Sequence, residues 1–324
     1  MFSLGTFLLS TALTAQARTL YEAISDVPEL SNFTTFYANN EALANTFFAN
    51  QTNYPLTFLV PSNKAFSSYQ AQTGTELTNI PLDRLLILFQ YHTLVSSLSG
   101  SNFSESGSGL TAPTFLNAVQ YNNRSVGESM ANKFGGTDKA SGQVVFIKGD
   151  DSTAEQSRFK LMSRQSDASQ ISVRSGLSST VNMTVLDTEG LWDGGRFHVI
   201  DGLLTPPDLC KTTIRSAGLN NLDNALNRSG LWPALDGAKN VTCLGPNDDA
   251  FREAGSPDAS LDKNALSDAI LFHTLPEVAY SDYLYDGQML KSLQNGTVRV
   301  KVEGTGKDRS IWFNNAKVVN ANVL

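Results

Sequence analysis

The feature that most constrains this 324-residue chain is an internal repeat. Leu56-Thr-Phe-Leu-Val-Pro-Ser-Asn-Lys-Ala-Phe66 is echoed by Val241-Thr-Cys-Leu-Gly-Pro-Asn-Asp-Asp-Ala-Phe251, so that Pro61 aligns with Pro246 and Phe66 with Phe251. Downstream of each copy an apolar run of helical character closes on an aromatic-His-Thr-Leu string: Leu82 to Leu94 with Tyr91-His92, and Leu261 to Leu275 with Phe272-His273. The Pro-to-His separations are 31 and 27 positions, a difference that one surface loop absorbs. Order and spacing repeat together, which makes the chain a tandem duplication.

Each copy opens with helical signals, Thr19 to Tyr37 in the first and Thr212 to Leu231 in the second, where Leu219, Leu222, Leu226 and Leu231 share one face. A strand follows and stops at the proline, which cannot donate to a ladder. Ser62, or Asn247 in the second copy, is suited to N-cap a short helix that buries Phe66 or Phe251. After His92 come Gly/Ser-rich segments at 96–109 and 135–142, then strand-like runs at Val144–Ile147, Ile171–Val173, Val181–Leu186 and Phe197–Asp201, closed by Pro206-Pro207. The second copy shows Val298–Val302, Ile311–Phe313 and Lys317–Val319, with no counterpart of Arg196 to Leu204. The comparison predicts domains at 18–207 and 208–324, the second short of its last strand.

Composition narrows the function. Hydrophobic residues make up 41%, enough for two packed cores. Lys and Arg total 24 against 31 Asp and Glu, a net charge of −7, which is the wrong sign for a nucleic-acid partner. Two cysteines and three histidines cannot furnish a dedicated zinc site, so no metal and no cofactor is expected. Residues 1–17 are uncharged and largely apolar and end in Ala15-Gln16-Ala17, the small-x-small form of a secretory cleavage site, although a basic n-region is missing. No later run approaches the ~20 apolar residues of a membrane span. Asn-x-Ser/Thr occurs at Asn32, Asn50, Asn102, Asn123, Asn182, Asn227, Asn240 and Asn295, in keeping with a secreted glycoprotein.

Thr57 to Phe66 (with Pro61, Asn63 and Phe66), Tyr91-His92, and Phe197-His198-Val-Ile-Asp201 together resemble, in order, the first motif, the Tyr-His motif and the second motif of the fasciclin domain. The second copy resembles the same family through Pro246 to Phe251 and Phe272-His273, with Phe in place of Tyr. The resemblance implies an α+β fold: two tandem wedges of small β-sheets packed with a helical layer, used mostly for extracellular adhesion and for binding ligands or partners. It also implies that the Tyr-His region, Tyr91-His92 and Phe272-His273, marks a binding surface. The competing reading makes His92 and His198 scaffold histidines that fix a helix end and a sheet edge by hydrogen bonds, with a partly charged His92 complementing the carbonyls at the end of its helix.

Other candidates are weaker. Gly127-Glu-Ser129-Met-Ala131 with His198 and Asp201 mimics a hydrolase triad, but the residues before Ser129 are polar where a nucleophile elbow needs a strand. Asp150-Asp151 and Asp248-Asp249 lack the alternation of a calcium loop, and the latter pair more simply places negative charge at a helix N-terminus. Tyr280 to Tyr285 holds three aromatic rings, as a recognition patch or as core. Cys210 and Cys243, in a chain expected to cross an oxidising compartment, can form a disulfide or remain thiols. The sequence therefore supports a secreted, non-catalytic binder of extracellular or cell-wall proteins or glycans. The alternatives are an auxiliary to a secreted laccase-type multicopper oxidase in polyketide pigment coupling, as the resemblance to some fungal members suggests, and, remotely, a serine hydrolase.

Overall fold

A computed structural model describes residues 18–104, 108–118, 120, 124–149, 171–238 and 240–324; residues 1–17, the sequon Asn123 and Asp150-Asp151 lie outside them. Helix α1 (Leu20–Ser25) is opened by a capping box in which the Thr19 hydroxyl accepts from the Glu22 amide and the Glu22 carboxylate accepts from the Thr19 amide. Helices α2 (Ser31–Asn39) and α3 (Glu41–Phe48) follow, and turn Phe33, Phe36, Tyr37 and Phe48 toward strand β1 (Leu56–Pro61).

Strand β1 is buried on both faces, and its period-two alternation decides which core each residue enters. Leu56, Phe58 and Val60 join the aromatic helical layer, while Leu59 faces the opposite cluster. Phe58 is fully buried, worth roughly 1.5–3 kcal/mol by transfer alone. Helix α4 (Asn63–Thr73) starts behind Ser62, whose hydroxyl accepts from the Ala65 amide, and ends at Gly74 in a left-handed conformation. Helix α5 (Leu82–Tyr91) ends at His92. The helical reading that ran on to Leu94 needs correction, because Thr93-Leu94 leaves the helix as β2 and pairs with Thr57 and Phe58.

The first copy continues through α6 (Gly100–Ser104), β3 (Leu110–Pro113), α7 (Glu128–Phe134), β4 (Val144–Gly149), β5 (Ile171–Arg174), β6 (Thr180–Thr184), β7 (Leu191–Trp192) and β8 (Gly195–Ile200). These strands form one sheet of order β2-β1-β8-β6-β5-β4-β3, with β7 beside β8. The β1/β8 pair is parallel, so the first and last motif strings of the copy lie side by side, Leu59 opposite His198 and Pro61 opposite Ile200.

The second copy comprises α8 (Cys210–Ser216), α9 (Asn220–Ser229), α10 (Trp232–Asp236), β9 (Thr242–Cys243), α11 (Asp248–Glu253), α12 (Pro257–Ser260), α13 (Lys263–Phe272), β10 (Thr274–Leu275), β11 (Met289–Lys291), β12 (Thr297–Glu303), β13 (Ser310–Phe313) and β14 (Ala316–Lys317). The helical stretch read from Thr212 to Leu231 is broken at Gly218, whose φ of +71° suits glycine. Leu222 and Leu226 are buried as the periodicity requires, with Leu219 and Leu231 packed at the edge of the same cluster. Strands β10-β9 form one sheet and β11-β12-β13-β14 another; among the described residues β9 has no neighbour where the first copy sets β8 beside β1.

The copies meet through the Tyr280 to Tyr285 stretch. The Asp282 carboxylate accepts from the Thr111 amide at 2.7 Å and from its hydroxyl, and the Tyr283 hydroxyl donates to the Thr111 carbonyl. Asn322 ties Ser281 and Thr111 together, and the Ser178 amide donates to the Leu324 carbonyl. Tyr280 and Tyr283 pack against the first copy's core, whereas Tyr285 is exposed, so this run is mainly a joint between the copies.

Candidate functional site

The motif residues converge where β1, β8 and the end of α5 meet. His92 is 1% exposed. Its Nδ1–H donates to the Leu88 carbonyl at 2.8 Å, and its Nε2 accepts from the Leu204 amide at 3.0 Å. One ring thus joins the last turn of α5 to the segment that follows β8. Burial pushes its pKa down to about 4, so the ring is neutral; the expected charged imidazole at the helix end is corrected, because Nε2 must remain an acceptor.

His198 is fully buried and uses the opposite tautomer: Nε2–H donates to the Leu98 carbonyl at 2.8 Å and Nδ1 accepts from the Leu186 amide at 3.1 Å. Its ring meets Phe103 edge to face at 5.5 Å. Burial lowers its pKa as well. The strand alternation places Phe197 and Val199 in the aromatic layer and Ile200 on the other side with His198, as its spacing required.

Tyr91 is fully buried, with its hydroxyl donating to the Val144 carbonyl and burial pushing its pKa up. The Tyr91 hydroxyl and both His92 ring nitrogens thus have backbone partners inside the fold. Phe272 and His273 are half-buried. His273 Nδ1–H donates to the Ala269 carbonyl at 2.8 Å, and among the described residues no backbone amide is directed to its Nε2.

Asp201 accepts from the Asn182 amide and side chain at 2.8 and 3.0 Å and pairs with Lys64 at 2.7 Å, linking the last motif to the first. Burial acts to raise its carboxyl, but the hydrogen bonds from Lys64 and Asn182 outweigh it and hold the group below the ordinary range. Asn63 has a role that local sequence did not reveal. Its Oδ1 accepts from the Asn32 amide at 2.9 Å and its Nδ2 donates to Ser31 Oγ and to the Pro28 carbonyl, so it caps α2 from the start of α4. Asp248, the aligned residue, accepts from the Asn221 amide at 2.9 Å and from the Asn220 side chain, capping α9 in the same way. Only the repeat alignment of Asn63 with Asp248 could have signalled this. Asn247 N-caps α11 as expected, its Oδ1 accepting from the Ala250 amide. Pro61 ends β1, Pro246 follows β9, Phe251 is buried and Phe66 half-buried.

Ser129 is exposed in the first turn of α7 with no strand among the described residues 124–127 directly before it, while His198 has both ring nitrogens committed to backbone; the triad is not assembled. Cys210 and Cys243 are free thiols packed at the edge of one cluster. Burial raises both, Cys243 to about 12. Among the described residues no group of three His, Cys, Asp or Glu side chains is placed to hold a metal ion. Asn32, Asn50, Asn182, Asn227 and Asn295 are exposed, and Asn102 and Asn240 half-buried.

The Fasciclin domain model matches residues 28–206 and 217–324. The fasciclin-like arabinogalactan protein elcF of Phaeosphaeria nodorum is 26% identical over 272 residues, 83% of this chain and 73% of that protein. The fasciclin-like arabinogalactan protein CTB11 of Cercospora beticola is 29% identical over 162 residues, 50% of this chain but only 42% of that protein. Among solved structures, a FAS1 domain pair from the insect cell adhesion molecule fasciclin I aligns over 91% of this chain and 92% of its own, at 13% identity and a TM-score of 0.37. With two matched segments spanning most of its length, the chain belongs to the fasciclin domain family as a tandem pair.

Proposed function

We propose that this protein is a secreted, non-catalytic binding protein that engages proteins or glycans at a cell surface or in a matrix. The observation that carries the reading is the inward commitment of the motif chemistry. Tyr91, His92 and His198 all spend their polar atoms on backbone partners, which leaves recognition to the outer surfaces. The exposed sequon asparagines support a glycoprotein, and among the described residues no helix is long and apolar enough to cross a membrane. No cofactor or metal enters this reading. A second reading, raised by the sequence's resemblance to some fungal fasciclin-like proteins, makes the chain an auxiliary to a secreted laccase-type multicopper oxidase, with the redox work done by the oxidase. An affinity pull-down of the secreted protein, with mass spectrometry of what it retains, separates them. Wall glycans or surface proteins support the adhesive reading, a multicopper oxidase supports the auxiliary one, and retention of neither overturns both.

A further inference from the structure

The outer face of the four-stranded sheet departs in charge from the rest of the chain. Residues 287–324 hold six Lys and Arg against two Asp and Glu, in a chain of net charge −7. Strand alternation sorts them. Leu290, Val298, Val300 and Ile311 are buried, so Met289, Lys291, Arg299, Lys301, Trp312 and Lys317 share the solvent side. Trp312 is in register with Lys301 on one neighbouring strand and with Lys317 on the other, and their ammonium groups stand 5.9 and 5.8 Å from its ring centroid. Lys301 pairs with Glu303 at 2.6 Å, and Lys291 donates to the Thr297 hydroxyl. One carboxylate thus answers four cations.

We propose that this face binds an acidic polysaccharide of the uronate type, a ligand class that rests on and sharpens the surface-binding reading above. Trp312 is the stacking platform for the C–H face of one pyranose ring, and Lys301 and Lys317 flank the carboxylate that ring carries. With strands about 4.8 Å apart, the two lysine backbones straddle the indole by about 10 Å, a slot for one ring rather than for a bulky protein surface. Arg299 and Lys291 extend the positive field along the sheet toward the next sugar. A bilayer is disfavoured because membrane-binding faces set their apolar groups beyond their cations, whereas Trp312 lies half-buried between its lysines. An oligonucleotide, with its denser charge, is opposed more strongly by the acidic remainder of the chain.

Titration of the full chain with polygalacturonate, followed by tryptophan fluorescence, tests this. Trp192 and Trp232 are 8% and 7% exposed, so Trp312 dominates the response. We expect saturable binding that weakens with added salt and an affinity loss of about tenfold or more in the Lys301→Ala/Lys317→Ala double variant, whose positions are exposed and do not threaten folding. Trp312→Ala, read by calorimetry, should lose binding to a similar degree. Dextran, anionic phosphatidylserine vesicles and oligothymidylate serve as comparison probes. The inference is overturned by absence of saturable binding, by an unchanged affinity in the double variant, or by tighter binding of vesicles or oligothymidylate. If cell-wall material retains the chain while polygalacturonate does not, this inference fails and the adhesive reading stands; if polygalacturonate binds and no surface fraction retains the chain, the reverse holds.

Discussion

His92 and His273 occupy the same place in two copies of one unit, yet only the first is sealed in. Both cap the C-terminal end of a ten-residue helix and both donate Nδ1–H to the carbonyl four residues back, Leu88 or Ala269. What differs is the segment after β8, which brings the Leu204 amide to His92 Nε2. In the second copy β9 has no such neighbour among the described residues, and His273 stays half-buried. The helix-end bond is therefore local, set by the aromatic-His-Thr-Leu string itself, while the burial that makes the histidine costly to remove is non-local and comes from the closing strand.

That contrast is broken most directly by truncation. His198→Ala strands the Leu98 carbonyl and the Leu186 amide, and His92→Ala strands the Leu204 amide while the Leu88 carbonyl keeps the His92 backbone amide; we expect costs of roughly 2–3 kcal/mol, with melting of the first domain lowered by about 4–12 °C. His273→Ala, losing one bond at a half-exposed site, should cost about 1 kcal/mol or less. Scanning calorimetry of the three variants decides the matter. Equal costs for His92 and His273 would show that the closing segment contributes nothing through the ring.

Acid should separate the copies next. The folded pKa of His92 lies near 4 against about 6.5 for a free histidine, so the unfolded chain binds the extra proton; the stability contributed is present above about pH 6.5 and is lost as pH falls toward 4. His198 is shifted in the same direction. The loss from His92 alone is on the order of 3 kcal/mol. Asp282, raised by burial at the joint between the copies, works in the opposite sense, adding stability as pH falls through its raised pKa toward the ordinary carboxylate value. Melts of the parent and of His92→Gln across this window should show the acid slope reduced in the variant; a parallel slope would remove His92 as its source.

How much of this was legible beforehand follows from the range of each interaction. The duplication, the N-caps Ser62 and Asn247, and the alternation that sets His198 opposite Phe197 are local patterns, and the chain displays them openly. The split of Leu82 to Leu94 into a helix and β2 was not legible, because Thr93-Leu94 becomes a strand only through pairing with β1. Nor was the neutrality of His92, which depends on Leu204, 112 residues away. The place of Trp312 is not legible either, because it lies in cross-strand register with Lys301 and Lys317, a property no single stretch carries.

A smaller effect is expected at the motif-to-motif link. Lys64 joins Asp201 in the first copy, whereas the aligned Asp249 turns to Arg252 on its own helix. Asp201→Ala should cost about 1–2 kcal/mol, chiefly through the Asn182 amide it leaves unpaired, while Lys64→Ala, at an exposed lysine, should cost about 0.5 kcal/mol. Asp249→Ala should be near neutral. A Lys64→Ala loss as large as that of Asp201→Ala would assign the link to the ion pair instead of the amide.

The smallest contrast is between the two cross-helix caps, where the copies should agree in size and differ only in charge. Asn63 accepts from the Asn32 amide and Asp248 from the Asn221 amide, each at 2.9 Å and each at the second residue of its helix. Removing either leaves one orphan amide, so Asn63→Ala and Asp248→Ala should each cost about 1 kcal/mol. The difference lies in titration. The Asn221 amide holds the Asp248 carboxyl below its ordinary range, so this cap is present at neutral pH and fails as pH falls through that lowered pKa, whereas Asn63 cannot titrate. Amide exchange is the measurement: the Asn221 amide should lose protection in acid and recover it in Asp248→Asn, while Asn32 should respond only to Asn63→Ala. Loss of Asn32 protection in acid with Asn63 intact would mean that α2 opens with the whole first domain, and the cap would no longer be a separable unit.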